Sequence, residues 1–355
     1  MRKSSAISVF VILSLLFTQA QSNCFDDSIR TYVQFLEQLH QSPVEYIAGK
    51  FDTHDIVVVG EVHQKREYCE LISQVIVTGK INFFASEFIK HSNTEIINQI
   101  VSAKEFDRAK AIDILRDYTW PIWGFEEYLN IIHAVWEVNS TRENQQDKIK
   151  IIALDSEWSQ YDNMCGQKKS EQELFKQNVD REENMVNAVK EQYADGTKIL
   201  VHIGFAHALY KLKGRFASEL YSKYDRKVFT VCLHQQLEGD MSKMTLSKDI
   251  ETVMARNDGI SIGFDVAGSP FAKLKDASCY YFRVPQQESL KDIAMGYVFI
   301  KPYSQLRTVT WILDFVNESN FEKAKCVAMK MRFLKTEPKT VGECNSAMAL
   351  YFTGE

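Results

Sequence analysis

Residues Ile56 to His63 read IVVVGEVH: four apolar, mostly β-branched residues, then Gly60, then Glu61 and His63 at alternate positions. A run that is apolar on both faces is the pattern of a strand covered on two sides. Glu61 and His63 directly after it fall where α/β sheets bind ligands, outside the carboxyl ends of the strands. The arrangement returns at Ile199–His207 (ILVHIGFAH), where Gly204-Phe205-Ala206-His207 repeats the Gly-x-x-His spacing of Gly60–His63. Glycine at that point is expected to let the backbone turn sharply and bring the histidine to the mouth of the sheet.

Further short apolar runs extend the pattern: Ile81–Glu87, Ile151–Asp155, Val228–Leu233, Ile260–Asp265 and Tyr297–Lys301. Between the runs lie stretches with helical periodicity: Ser28–Gln41, Lys65–Thr78, Asn93–Asp117, Gly124–Val138, Glu171–Tyr193, Ala206–Tyr224 and Tyr303–Val316. Strand and helix in alternation predict an α/β fold, a mostly parallel sheet with helices on both faces and the site at the carboxyl ends of its strands. The polar Thr141–Lys148 segment reads as a surface loop, and no repeat of solenoid period is present.

The chain has 355 residues, 45% hydrophobic and 25% charged, with 42 Lys+Arg against 47 Asp+Glu, a formal charge of −5. That excludes disorder and collagen, and it argues against nucleic acid as a partner. Arg2 and Lys3 precede the apolar run Ile7–Phe17 and the small-residue pattern Thr18-Gln19-Ala20, which reads as a secretory signal peptide over residues 1–20. The run is too short for a bilayer span, so no transmembrane anchor is expected and the protein reads as secreted, extracellular or periplasmic. Without residues 1–20 the chain keeps 335 residues, with 40 basic against 47 acidic side chains, a formal −7. Residues 21–355 read as one domain, with the motifs concentrated in about 50–235.

Export makes the seven cysteines (24, 69, 165, 232, 279, 326 and 344) candidates for disulfides. Cys326 with Cys344 closes the shortest loop between neighbours, although spacing does not settle pairing. Asn139-Ser-Thr and Asn317-Glu-Ser match the glycosylation acceptor pattern.

Four successive strands therefore deliver Glu61, His63, Glu87, Asp155 and His207 to one edge of the sheet. Asp155 is the least specific of these, since Asp155-Ser156-Glu157 also fits the start of a helix. Two imidazoles and two carboxylates are a donor set for Mn²⁺, Co²⁺, Zn²⁺ or iron, with His63, Glu87 and His207 as ligands and a position left for water that the metal would acidify. Without metal, a carboxylate from Glu61 or Glu87 orients the His63 ring and raises its basicity, so that it deprotonates water. Arg66, about one turn after His63, is placed to hold a carboxylate or a developing oxyanion.

The motifs resemble those of the erythromycin esterase-like and ChaN-like superfamily, to which the Tiki/TraB proteins are related. Gly60–Tyr68 (GEVHQKREY) is similar to the first motif, Gly-Glu, a His shortly after, then Arg-Glu-aromatic. Glu87 matches the acidic residue on the second strand. Trp123-Gly124-Phe125-Glu126-Glu127 resembles the Trp-x-x-Glu-Glu helix of the esterase branch, Arg181-Glu182-Glu183-Asn184-Met185 resembles its Arg-Asp/Glu-x-x-Met helix, and His202–His207 falls at its last histidine motif. The resemblance implies an α/β fold and, in the esterase branch, His63 as general base supported by Glu61, Glu87 and His207. The Gly-x-x-His form is closer to the ChaN and Tiki branches, where the resemblance implies haem binding or metal-dependent peptidase activity.

The reading is a secreted hydrolase of ester or amide bonds acting on a small-molecule or peptide substrate, with His63, Glu61, Glu87, His207 and Arg66 as its machinery. The cofactor stays open between a divalent metal, haem and none, and the alternative function is a non-catalytic haem- or iron-binding protein using the same histidines. Gly259-Ile-Ser-Ile-Gly263 fits the nucleophile-elbow pattern, but Phe264–Pro270 does not continue as the required helix. Cys232 and His234 lack a third group. Trp120, Trp123, Phe125 and Tyr128 fit an aromatic wall or helix packing equally, and Leu237–Ala294 is expected to help complete the sheet and wall the cleft.

Overall fold

A computed structural model describes residues 29–157, 160–166, 169–235, 245–257, 259–274 and 289–353. The seven strands are β1 (Ile56–Glu61), β2 (Phe83–Lys90), β3 (Lys150–Asp155), β4 (Ile199–Gly204), β5 (Val228–Leu233), β6 (Ile262–Asp265) and β7 (Gly296–Phe299). They form one sheet in the order β3-β2-β4-β1-β5-β7-β6, parallel throughout except for the antiparallel edge pair β6–β7. Described helices are α1 (29–36), α2 (Pro43–Lys50), α3 (Arg66–Val77), α4 (Thr94–Ser102), α5 (Arg108–Arg116), α6 (Glu126–Ser140), α7 (Gln160–Met164) and α8 (Glu171–Gln192). There follow α9 (Phe216–Tyr224), α10 (Thr245–Arg256), α11 (Leu290–Ile293), α12 (Phe321–Lys330) and α13 (Val341–Thr353).

Every residue of β1, β4 and β5 is buried, and strand alternation sorts them between two layers. Val57 and Val59 join Tyr68, Leu71 and Ile72 of α3 and the α6 residues on one face. Ile56 and Val58 join Val186 and Val189 of α8 and Phe216 and Leu220 of α9 on the other. The chain leaves β1 through α3 on the first face and reaches β2, and leaves β4 through α9 on the opposite face and reaches β5. Neighbouring strands whose exits diverge in this way open a crevice at their carboxyl ends.

Several boundaries differ from the sequence expectation for identifiable reasons. Asn93–Asp117 is two helices, because the Asp107 side chain accepts a hydrogen bond from Lys110 N at 3.0 Å and caps a new one. Ala206–Tyr224 becomes helical only from Phe216, after a single 3₁₀ turn over Phe205–His207. Tyr303–Val316 is no helix beyond a 3₁₀ turn at Tyr303–Gln305. It runs as an extended strap whose backbone partners come from other loops: Val309 N donates to Gln64 O, Glu126 N to Thr310 O, and Ile312 N to Gly124 O. The β-branched Thr308, Val309 and Thr310 favour this extended course.

Among the described residues the disulfide joins Cys165 to Cys326, not Cys326 to Cys344; Cys344 is a buried free thiol, as is Cys69, and Cys232 is buried. Cys24, Cys279 and the segment 1–20 expected to be a signal peptide lie outside the described residues. Asn139 is a core residue, 1% exposed, with its amide bonded to Val101 O, Ile149 O and Ile149 N, so it does not present a glycan acceptor on the folded surface. No described helix is long and apolar enough to cross a membrane. Ser261, at the centre of the nucleophile-elbow pattern, precedes β6 and bonds Ile300 O.

Candidate functional site

The parallel register sets Glu61 beside Gly204 and places both Val59 and Ser86 beside His202. Glu87 follows Ser86 at the point where the β2–β3 register shifts. Such an irregularity re-aims a side chain at a strand end. Glu61, Glu87, Asp155 and the Gly204–His207 turn therefore arrive at one edge.

Glu61 is 1% exposed and receives three donors. His202 Nε2 lies 2.7 Å from Oε2; His63 Nδ1 and the Tyr128 hydroxyl lie 3.1 and 2.5 Å from Oε1. Burial pushes this carboxyl up, but His202 and His63 outweigh burial and hold it at about 2, so it is an anion near neutral pH. An ionised acceptor at Nδ1 fixes the proton there and leaves the lone pair on Nε2. The His63 ring meets Phe88 and Trp123 edge-on, at centroid distances of 5.4 and 5.3 Å, while those two rings stack on each other. Its side chain is 39% exposed, against 0% for Glu61 and His202 and 5% for Glu87.

The glycines serve a different purpose from the one the spacing implies. Neither Gly60 nor Gly204 has a positive φ; the left-handed residue after β1 is Gln64, at φ 67°. At Gly204 a Cβ would stand 2.8 Å from His63 Cε1, 2.9 Å from Nε2 and 3.2 Å from Glu87 Oε2. At Gly60 it would stand 2.6 Å from the Ala208 Cβ. Both positions need glycine because another part of the site lies against the backbone.

His207 is held differently. Its Nδ1 lies 2.8 Å from Glu182 Oε1, and its Nε2 lies 3.0 Å from an Arg181 nitrogen and 3.4 Å from Glu87 Oε1. Burial lowers its basicity, but Glu87 and Glu182 overcome that and raise its pKa to about 9. Charged, its Nε2–H turns to Glu87, and the Arg181 nitrogen is a neighbour rather than a donor. Arg181 also reaches Glu87 Oε1 and Asp155 Oδ1, each at 2.7 Å. Glu87 stays well below the usual carboxylate range, since His207 and Arg181 outweigh its burial, and it accepts Gly204 N at 2.5 Å. Asp155 is shifted up, its complete burial exceeding the pull of Arg181, and it accepts the Thr119 hydroxyl. Glu182 also binds Arg215 and Phe216 N, anchoring the start of α9.

Arg66 lies apart from these groups: Nε is 3.0 Å from Glu127 Oε1 and a terminal nitrogen donates to Thr310 Oγ1 at 2.6 Å. The structure thus gathers Glu61, His63, Glu87, Asp155 and His207 and ties Arg66 to the strap. Residues beyond the sequence-based set are His202, Tyr128, Arg181 and Glu182. A histidine inside an apolar strand is the sequence signal for His202, because a buried imidazole needs a partner. No local pattern pairs Arg181 with acids 94 and 26 positions away.

The donor set does not fit a metal ion. The Arg181 guanidinium stands between Glu87, Asp155 and His207, engaging the atoms a cation would coordinate. Among the described residues no group of three His, Cys, Asp or Glu side chains is disposed to hold one. Cys232 and His234 form no dyad, for Cys232 Sγ bonds Leu233 O and His234 bonds Tyr297 and Glu251.

No protein-family model matches this chain, and no curated protein matches it in sequence. Among solved structures, a succinoglycan biosynthesis protein is similar over 78% of this chain and 96% of its own, at 11% identity and a TM-score of 0.52. A Bacillus cereus protein is similar over 77% and 97%, at 9% identity and a TM-score of 0.50. ChaN of Campylobacter jejuni, which binds haem, aligns over 54% and 86% at 15% identity with a TM-score of 0.36. The first two likenesses support a similarity of fold.

Proposed function

We propose that this chain is a secreted hydrolase of ester or amide bonds in which His63 is the general base and no metal takes part. The observation that carries the reading is the contrast in access: within a buried cluster of ionised groups, His63 is substantially open to solvent while its Nδ1 rests on a buried, ionised Glu61. In the acylation-free form of the reaction, His63 Nε2 takes a proton from water as its oxygen bonds to the substrate carbonyl carbon. Glu61 stabilises the imidazolium that results. The same Nε2–H then passes to the departing alkoxide or amine as the carbonyl bond to it breaks, returning His63 to neutral.

His202 and Tyr128 hold Glu61 in place, and His202 with His63 keeps it charged. Glu87, with His207 and Arg181, fixes the Gly204 backbone that lies against the His63 ring. The substrate is a small molecule or a peptide. The Cys165–Cys326 disulfide is compatible with an extracellular location.

A panel of esters and peptides with the purified full chain tests this. The expected result is turnover that His63→Ala lowers by about 10²–10⁴ and that EDTA leaves unchanged. A stoichiometric Soret band on the purified protein, without turnover of any ester or peptide, would overturn it in favour of haem binding.

A further inference from the structure

We propose that Glu127 is a positioning residue of this site, acting on His63 through a clamp closed with Arg66 and Thr310; the proposal rests on His63 being the working base. Glu127 lies in the first turn of α6 and is 7% exposed. Its Oε2 accepts Thr310 N at 2.7 Å, and its Oε1 accepts the Thr310 hydroxyl at 2.8 Å and faces Arg66 Nε at 3.0 Å. Arg66 closes the triangle by donating to the same hydroxyl at 2.6 Å. One buried carboxylate thus joins three elements: the start of α3, the start of α6 and the strap.

What the clamp holds is the segment that carries His63. Arg66 is the first residue of α3, and Arg66 N donates to Arg307 O of the strap at 3.0 Å. One residue after His63, Gln64 has φ 67°, a left-handed conformation that is costly for a residue with a β-carbon and persists only where its surroundings impose it. Both backbone polar groups of Gln64 are bound from outside its own loop. Gln64 N donates to the Tyr128 hydroxyl at 3.1 Å, and Gln64 O accepts Val309 N at 3.3 Å. Val309 neighbours the clamped Thr310, and Tyr128 neighbours Glu127. Tyr128 in turn binds Glu61, so the clamp, the strained turn and the His63–Glu61 pair share one support.

On this account Arg66 serves the chemistry by orienting the base, and its charge is spent on Glu127. Freeing the strap lets Gln64 relax, and the His63 ring then leaves the line set by Glu61. Loss of alignment by about 1 Å costs on the order of a hundredfold in rate.

The experiment uses the full chain with Glu127→Gln, which keeps the shape and removes the charge, and with Thr310→Val as the milder second variant. Each is expected to lower kcat by about ten- to a hundredfold with KM within about twofold. The ¹⁵N signal of His63 Nδ1 is expected to move away from its Glu61-bonded position. In the His63→Ala background neither change should reduce the residual rate further, since both act through the same residue. Unchanged kcat and an unmoved His63 signal, whatever happens to Tm, would make the triangle a structural ion pair and overturn the proposal. So would a full additive loss in the double variants. Where no substrate is turned over, the hydrolase reading fails by itself and the His63 signal alone decides the clamp.

Discussion

His63 and His207 stand at the ends of β1 and β4 with the same local spelling, an apolar strand followed by Gly-x-x-His, yet they occupy opposite physical situations. His63 has one carboxylate at Nδ1, and its side chain is 39% exposed. His207 is 14% exposed and has acids on both nitrogens, with Arg181 packed against it. The first arrangement leaves a ring partly open to solvent, and the second holds a charged ring between two acids. A strand-end histidine acquires its situation from the groups around it: for His63 the nearby Glu61, itself held by Tyr128 and His202 from other elements, and for His207 the acids Glu87 and Glu182 with Arg181, all from other segments.

The comparison breaks most directly at His63. His63→Ala is expected to lower kcat/KM by about 10²–10⁴, the usual worth of a general base, with little change in Tm because the side chain is half out of the protein. On the other side, Arg181→Met leaves Glu87 and Asp155 buried without their cation. A loss of about 3–5 kcal/mol is expected by denaturant titration, enough to unfold many domains of ordinary stability. Gly204→Ala tests the contact between the halves, since the new methyl would enter the space of the His63 ring. A fall in activity larger than the fall in stability is expected, with the overpacking itself costing about 1–3 kcal/mol.

The pH dependence of stability separates the two histidine environments more gently. The pKa of His207 rises on folding from 6.5 to about 9, so its contribution is fully present below pH 6.5 and is lost as pH rises through 9. His207→Gln should flatten the stability curve over that interval. Glu61 moves the other way, from 4.5 to about 2; its contribution is present above pH 4.5 and is lost as pH falls towards 2. The smallest expected effect is that of EDTA, which should leave both activity and Tm unchanged because Arg181 occupies the place of a cation.

The strands were legible because each is a short, nearly continuous apolar run, and β4 and β5 begin and end where those runs do. The apolar spacing of Tyr303–Val316 fits a helix, while the backbone of Val309, Thr310 and Ile312 bonds to Gln64, Glu126 and Gly124, more than 180 residues earlier. The disulfide escaped for a similar reason: Cys165 and Cys326 are 161 positions apart, and loop length says nothing of which thiols folding brings together. Glycine was expected as a turn-maker. Its role at 60 and 204 is to leave room for side chains arriving from elsewhere, which no local pattern encodes.

The sequence alone determined that this is an α/β protein with acids and histidines at one edge of its sheet, because burial on two faces and the strand–helix alternation are local properties written in hydrophobic period. Only the tertiary structure decided which histidine is open, which acids are paired, that Arg181 stands where a metal would be expected and that Arg66 serves a clamp. Those facts depend on desolvation and on charges brought within about 3 Å from distant parts of the chain, and such distances exist only once the fold has formed.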